Sequence, residues 1–139
     1  MRFANPGSEE ICALLERVKT IAVVGYSPRP GRPSHTIAGR MQQFGFRVIP
    51  VRPGIGEGLG EKAYRDLASV PDRIDLVNVF RASQYVSAVV DECLRLGLKN
   101  IWIQDGIRDE TAAARARAAG MTVVMDRCIM RDYASLCRG

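Results

Sequence analysis

The 139-residue sequence has no long apolar run and few aromatic residues, and both shortages exclude classes of protein. No segment approaches the ~20 consecutive apolar residues of a membrane-spanning helix, and the N-terminal residues lack the apolar stretch of a secretory signal. Aromatic residues make up 6% of the chain, and its Lys and Arg residues are scattered, so the net charge of +5 does not indicate nucleic-acid binding. We therefore expect a soluble, cytoplasmic protein that binds neither a membrane nor a nucleic acid.

The sequence is also poor in residues that carry out catalysis or bind metals. His35 is the only histidine, and no HExxH motif, paired carboxylates or metal-ligand cluster accompanies it. The four cysteines, Cys12, Cys93, Cys128 and Cys137, form no CxxC pair, which favours a reducing compartment over a disulfide framework. We expect no catalytic residue, no metal site, and cysteines that act as small packing residues.

What the sequence does contain is an alternation of apolar runs and amphipathic stretches typical of a single α/β domain spanning residues 1–139. With 47% hydrophobic and 25% charged residues, the composition is that of an average globular protein. Strands separated by helices require right-handed parallel crossovers. The pattern therefore predicts a Rossmann-like, doubly wound, five-stranded parallel sheet with helices on both faces. The predicted strands are 20–25, 47–51, 74–80, 100–103 and 121–125, and the predicted helices are 8–18, 36–45, 83–96, 110–119 and 129–137.

Ligands of such sheets bind beyond the carboxyl ends of the strands, which draws attention to the loop after the first strand. Gly25 lets the chain turn sharply there, and Ser34 is placed to cap a helix whose amides would face a phosphate. Arg29 and Arg32 add positive charge to the same loop. The alternative interpretation is a plain tight turn with a capped helix and two solvated arginines, and the spacing alone leaves it open.

Two stricter nucleotide motifs do not fit this loop. No second glycine follows Gly25 at the GxGxxG position, and the P-loop lysine is missing, since Arg32 and Pro33 stand in its place. At the end of the second strand, where an NAD site has an acidic residue, this chain has Arg52. An arginine there favours a phosphorylated ribose, which NADP and coenzyme A both carry, and the alternative interpretation is an exposed loop cation.

Several segments resemble the family of stand-alone CoA-binding domains, which is similar to the N-terminal domain of the succinyl-CoA synthetase α subunit. The strongest matches are residues 22–27, 32–34 and 45–53, and the resemblance extends from about residue 15 to residue 133. Further matching segments are 59–64, 75–81, 102–106 and 125–128.

This resemblance implies coenzyme A as the cofactor and assigns a place to each candidate residue. The phosphates would be surrounded by Gly25, Tyr26, Ser27 and Ser34, with Arg32 nearby. The adenosine would be lined by Val51, Arg52 and Pro53, and the nucleotide would be covered by Phe80 and Arg81. The pantetheine arm would extend toward Ile103 and Gln104. For Cys128, packing is the leading expectation, and contact with the thiol of bound CoA is the alternative.

The function that follows is binding rather than turnover. A chain of this length has no room for the phosphohistidine and ATP-grasp domains that the ligase reaction requires. We expect a non-catalytic protein that holds CoA or an acyl-CoA, as a sensor or as a module for a separate protein partner. The alternatives are a subunit of an acyl-CoA ligase, a component of an NADP-binding oxidoreductase, or an interaction module that has lost its ligand.

Overall fold

The computed structural model describes residues 3–138, and its centre is a five-stranded parallel sheet. The chain forms the strands β1 (Thr20–Val24), β2 (Arg47–Val51), β3 (Glu57–Gly58), β4 (Glu61–Lys62), β5 (Leu76–Val79), β6 (Asn100–Gln104) and β7 (Thr122–Arg127). The main sheet has the order β2-β1-β5-β6-β7, and β3 pairs with β4 in a separate antiparallel hairpin. Strand β1 therefore lies between β2 and β5, both parallel to it.

Helices cover both faces of this sheet, which confirms the predicted Rossmann-like doubly wound architecture. The α-helices are α1 (Ser8–Arg17), α2 (Pro33–Gln43), α3 (Val86–Arg95), α4 (Glu110–Ala118) and α5 (Ile129–Asp132), and α5 runs on into a π-helical turn, Tyr133–Cys137. Helices α1, α2 and α5 pack on one face, and α3 and α4 pack on the other. Within the described residues, none of the helices is both long and apolar enough to cross a membrane.

Alternate residues of each strand supply the two cores. In β1, Ile21 and Val23 face the α1 and α2 side, whereas Ala22 and Val24 face α3. Trp102 of β6 is fully buried on the first side, and its Nε1 donates a hydrogen bond of 2.8 Å to the carbonyl of Arg127. A strand buried on both faces reads as a continuous apolar run, and that is why the central strands could be predicted from the sequence.

The structure corrects the start of the second helix. Helix α2 begins at Pro33, three residues before the predicted position, because proline is favoured in the first turn, where its missing N–H costs no hydrogen bond. Ser34 therefore lies inside the first turn and is not the capping residue, and the flanking Arg32 makes no side-chain cap. The prediction that Asp109 caps α4 is confirmed, since its side chain accepts a hydrogen bond of 3.0 Å from the Ala112 amide.

The expectation that all four cysteines are unpaired packing residues is wrong for two of them. Cys12 in α1 and Cys137 at the end of the π-helical turn form a disulfide, with their Cα atoms 5.2 Å apart. The two residues are 125 positions apart, and only the packing of the first helix against the last brings them together. Cys93 and Cys128 are free and buried.

The N-terminal segment blocks the outer edge of β7. The Asn5 side chain donates to the Met125 carbonyl and accepts from the Met125 amide, both at 2.8 Å, so it substitutes for a neighbouring strand. Phe3 is buried in the adjoining core, and the Arg117 guanidinium stacks 4.5 Å from the centre of its ring. These bonds occupy the outward backbone groups of Met125 and so hinder pairing of this edge with a strand of another molecule.

Candidate functional site

The order of the strands reverses between β1 and β5, and the ends of these two strands approach each other closely. After β1 the chain crosses to β2 on one side, and all later strands of the main sheet are added on the other side. Gly25 follows β1 with φ of +88°, and a Cβ atom on it would lie 2.6 Å from the carbonyl oxygen of Phe80, which follows β5. Only glycine satisfies both the backbone angle and the close approach.

A cavity of about 1000 Å³ opens at this point, at the upper end of the usual range for small-molecule sites. Most of the residues predicted from the sequence line it. They are Gly25, Ser27, Arg32, Ser34, Val51, Arg52, Pro53, Phe80, Arg81 and Gln104. The loops after four neighbouring strands thus converge on one space.

Two of the predicted site residues, Tyr26 and Ile103, do not line the cavity. The Tyr26 side chain is buried beneath the β3–β4 hairpin, where burial raises the pKa of its hydroxyl, and its oxygen lies 3.2 Å from Nδ1 of His35. The same His35 nitrogen lies 3.2 Å from the Ser27 carbonyl, so His35 fastens the loop to α2. Ile103 is buried in the core beside α3. Both side chains therefore lie beneath the residues that line the cavity.

Ser27 in the first loop and Ser34 in the first turn of α2 both line the cavity. The Ser34 hydroxyl accepts a hydrogen bond of 2.8 Å from the Ser27 amide, and the Ser27 hydroxyl accepts one of 3.2 Å from the Arg29 amide. Because each oxygen is already an acceptor, the hydroxyl protons are left to donate elsewhere. Two donors at the start of an 11-residue helix favour an anionic group.

Arginines give the same end of the cavity a positive charge. Among residues 3–138, Arg32, Arg52 and Arg81 line the cavity without a carboxylate partner in a salt bridge. Arg52 reaches back over the first loop, with its Nη1 3.4 Å from the Tyr26 carbonyl, and the Arg81 guanidinium stacks 4.3 Å from the centre of the Tyr85 ring. These contacts orient the guanidinium groups and leave their charge available to a ligand.

Two of the three acidic residues that line the cavity pair with arginines, and the third, Glu92, accepts a hydrogen bond of 3.3 Å from the Ala68 amide. Asp66 contacts Arg65 at 3.5 Å and accepts a hydrogen bond from the Ser69 hydroxyl, which lowers the pKa of its carboxyl group. Asp105 pairs with Arg131 at 3.2 Å. The carboxylates therefore do not neutralise the arginines beside the first loop.

The opposite end of the cavity is formed where β6 and β7 end. A β-bulge at Asp126, with φ of +60°, shifts the register so that Gln104 pairs with Arg127. The bulge is held by the Asp126 carboxylate, which accepts hydrogen bonds from the Gly106 amide and the Arg108 guanidinium, and both bonds lower its pKa. Bulges of this kind redirect the residues that follow them, and here the next cavity-lining residue is Cys128.

Cys128, for which contact with bound CoA was the alternative expectation, also lines the cavity. Sequence reasoning missed a second set of lining residues: Val24, Pro33, Ile37, Arg65, Asp66, Ala82, Tyr85, Ala88, Val89, Glu92, Asp105 and Ile107. Many of them belong to the start of α3, whose position over the strand ends follows from the crossover after β5. The segment containing Arg65 arrives because Tyr64 adds a parallel bridge to Val51 at the sheet edge. The helical pattern after Phe80 could have identified the lining residues near the start of α3. No local sequence pattern predicts the bridge between Tyr64 and Val51.

The sheet order and the cavity at its reversal point define a Rossmann-like domain with a site of ligand size. A family model described as a CoA binding domain matches residues 19–134. The chain belongs to this family.

Proteins similar to this chain include small relatives and parts of large enzymes. An uncharacterised protein of Bacillus subtilis, YneT, is 44% identical over 130 residues, which cover 94% of this chain and 96% of that protein. A hypothetical protein from Pyrococcus horikoshii OT3 has a similar structure, with a TM-score of 0.89 and 32% identity over 98% of this chain and 99% of that one. An ADP-forming acetate–CoA ligase II of Archaeoglobus fulgidus is 30% identical over 95 residues, which are 66% of this chain and 14% of the ligase.

Proposed function

We propose that this protein binds coenzyme A or an acyl-CoA and does so without catalysing a turnover reaction. The observation that carries the proposal is one cavity at the strand-order reversal that is lined by Gln104 and by three arginines without a carboxylate partner among residues 3–138. Membership of the CoA-binding domain family supports the same ligand.

The positive end of the cavity fits the phosphates of the ligand. Coenzyme A carries a diphosphate and a phosphate on its ribose. The hydroxyl groups of Ser27 and Ser34 at the start of α2, with Arg32, suit the diphosphate. Arg52, which directly follows β2, suits the ribose phosphate, because its planar guanidinium pairs with two phosphate oxygens at once.

The apolar lining fits the rest of the molecule. Val51 and Pro53 border the region where an adenine ring would lie, and Phe80 and Val89 form an apolar wall toward the deeper part of the cavity. A pantetheine arm is flexible and mostly apolar with two amide groups. It matches a path that runs from the arginines along this wall to Gln104.

Titration calorimetry with CoA and dephospho-CoA tests the proposal. We expect CoA to bind at least about tenfold more tightly than dephospho-CoA, and Arg52→Gln to remove most of that difference, because the lost contact is a charge-assisted one worth about 1.5–3 kcal/mol. Arg95→Gln is the matched control, since Arg95 is exposed at the end of α3 away from the cavity.

Three results would count against the proposal as stated. Equal affinity for CoA and dephospho-CoA would remove the role of Arg52, and absence of binding by either ligand at high micromolar concentration would contradict CoA as the ligand. Tighter binding of NADP than of CoA would favour the oxidoreductase alternative.

A second function, as one component of an acyl-CoA ligase, is favoured by the match to the acetate–CoA ligase of Archaeoglobus fulgidus. The chain spans 14% of that enzyme, so its partners would have to supply the remaining steps. Copurification of an ATP-grasp protein with the tagged chain, followed by ATP-dependent formation of acyl-CoA by the mixture alone, would support this function. An isolated chain with full CoA affinity and no such partner would speak against it.

A further inference from the structure

Gln104 lines the cavity, and its side chain contains a nitrogen without a partner among residues 3–138. Its side chain is 3% exposed, and its Oε1 accepts hydrogen bonds from the Asn78 side chain at 3.2 Å and from the Ile129 amide at 3.4 Å. Its Nε2 is buried and makes no hydrogen bond within the described part of the chain. Leaving an amide donor unpaired costs about 1–3 kcal/mol, so this nitrogen is a candidate donor to a ligand in the cavity.

The two chain neighbours of Cys128 both contact Gln104. Cys128 precedes Ile129, whose backbone N–H bonds to the Gln104 side chain, and it follows Arg127, which pairs with Gln104 across β6 and β7. Cys128 lines the cavity, is 6% exposed and has a free thiol. A free thiol and a side chain with an unpaired hydrogen-bond donor therefore belong to two residues that line one cavity.

The other free cysteine has a different environment. Cys93 in α3 is fully buried in the core between that helix and the sheet and does not line the cavity. Burial raises the pKa of its thiol to about 12, which suppresses the reactive thiolate at neutral pH. Cys93 thus serves as an internal comparison for the reactivity of Cys128.

We infer that Cys128 accepts the acyl group of an acyl-CoA held in the cavity, with Gln104 Nε2 donating a hydrogen bond to the thioester carbonyl. This inference rests on the proposed function. The Cys128 sulfur attacks the carbonyl carbon, a new carbon–sulfur bond forms, and the bond to the CoA sulfur breaks. The proton lost by Cys128 ends on the CoA thiol that leaves, so no oxidant or further reactant is required. The Gln104 donor stabilises the negative charge that develops on the carbonyl oxygen.

The chemistry suits a sensor better than an enzyme. A thioester is exchanged for another thioester, so the equilibrium lies near balance and follows the ratio of acyl-CoA to free CoA. One acyl group is taken up by each chain, and the step reverses when free CoA accumulates. The protein would record the acylation state of the CoA pool in a covalent form.

Intact-protein mass spectrometry after incubation with acetyl-CoA tests the inference. We expect a mass increase of one acetyl group that neutral hydroxylamine removes and that peptide mapping places on Cys128. The increase should persist in Cys93→Ala and be absent from Cys128→Ala. Acetyl-CoA should react at least about a hundredfold faster than an equal concentration of a short acetyl thioester without the nucleotide, because the cavity holds the reacting groups together.

Gln104→Glu tests the part played by the amide donor. The replacement retains oxygen acceptors for Asn78 and Ile129 but removes Nε2, and we expect acetylation at saturating acetyl-CoA to slow by about tenfold or more. An unchanged rate would overturn the role of Gln104.

Calorimetry with CoA on the same samples separates failure of the inference from failure of the proposed function. A chain that binds CoA but remains unmodified by acetyl-CoA would overturn acyl transfer and leave CoA binding intact, whereas a chain that binds no CoA would overturn both. An adduct with the mass of CoA itself, released by a reductant and resistant to hydroxylamine, would overturn acyl transfer in favour of a mixed disulfide formed by oxidation of Cys128 and CoA. CoA binding by Cys128→Ala verifies that this variant folds, and the peptide map of the wild type locates the acyl group without any substitution.

Discussion

The close approach of Gly25 to Phe80 predicts that Gly25→Ala is far more destabilising than an alanine at another glycine of the same loop. Gly31 is the matched control, because its φ of +90° nearly equals the +88° of Gly25, and a Cβ on Gly31 would meet nothing within 4 Å. At Gly25 the added Cβ would lie 2.6 Å from the Phe80 carbonyl oxygen and 3.1 Å from Cδ of Arg81. The two substitutions share the backbone penalty and differ in the contact.

The two variants should lose different amounts of the free energy of unfolding because of this difference in contact. A positive φ destabilises an L-residue by about 1–2 kcal/mol. At either position, alanine also lowers the conformational entropy of the unfolded chain, which stabilises the fold by about 0.4–1 kcal/mol. The Phe80 carbonyl group belongs to the backbone, and the Phe80 N–H donates a hydrogen bond of 2.8 Å to the Val24 carbonyl. The Phe80 backbone therefore cannot move without disturbing the junction of β1 and β5. Overpacking of this kind costs about 1–3 kcal/mol more.

Urea denaturation of the wild type and both variants measures the free energies of unfolding. We expect Gly25→Ala to lose about 2–4 kcal/mol and Gly31→Ala about 1 kcal/mol. We also expect weaker CoA binding by Gly25→Ala, because the strand ends that border the cavity must separate. Equal losses for the two variants would refute the reasoning, since the close contact would then have no energetic consequence.

Three further predictions concern parts of the fold outside the cavity. Asn5→Ala should lower the free energy of unfolding by about 1–3 kcal/mol in urea denaturation, because two hydrogen bonds to Met125 are lost; an unchanged midpoint would contradict the role of Asn5 at the edge of β7. Cys12→Ser, or reduction of the disulfide with Cys137, should lower it by about 3–5 kcal/mol through the long loop that is released, and a loss below about 1 kcal/mol would show that the bond adds little. Folding lowers the pKa of Asp126, so the stabilisation by its carboxylate is present above the unfolded pKa of about 4 and is lost as the pH falls through the folded pKa. Asp126→Asn should therefore flatten the decline in the free energy of unfolding below about pH 4. A decline identical to that of the wild type would assign the acid sensitivity to other groups.

The strands of the main sheet could be predicted because their physics is local. The run 47–51 was predicted with the bounds that β2 has, since a strand buried on both sides consists of consecutive apolar residues ended by a turn. The start of α2 was less predictable, because this helix includes Pro33 and Ser34 and nothing in its apolar spacing extends to that first turn. The β3–β4 hairpin has two residues in each strand, which is too short for any periodicity to appear.

The candidate site was predictable where it depends on loops that follow strands, and less so where it depends on distant packing. Arg52 and Gln104 line the cavity because strand ends in a parallel sheet meet at one edge. Tyr26 differs because the hairpin covers it, and the sequence does not show that the chain returns over the first loop. The disulfide of Cys12 with Cys137 depends on the packing of two helices at opposite ends of the chain, which no local pattern encodes.

That disulfide also changes the covalent topology of the molecule. Residues 12 and 137 enclose almost the whole domain, so the backbone between them forms a closed ring when the bond is intact. A protease that cuts any one exposed loop within this ring opens it without releasing a fragment, and the two pieces remain tethered at α1. Such a nicked chain retains every residue around the cavity on one covalent unit, and it separates into two polypeptides only after reduction.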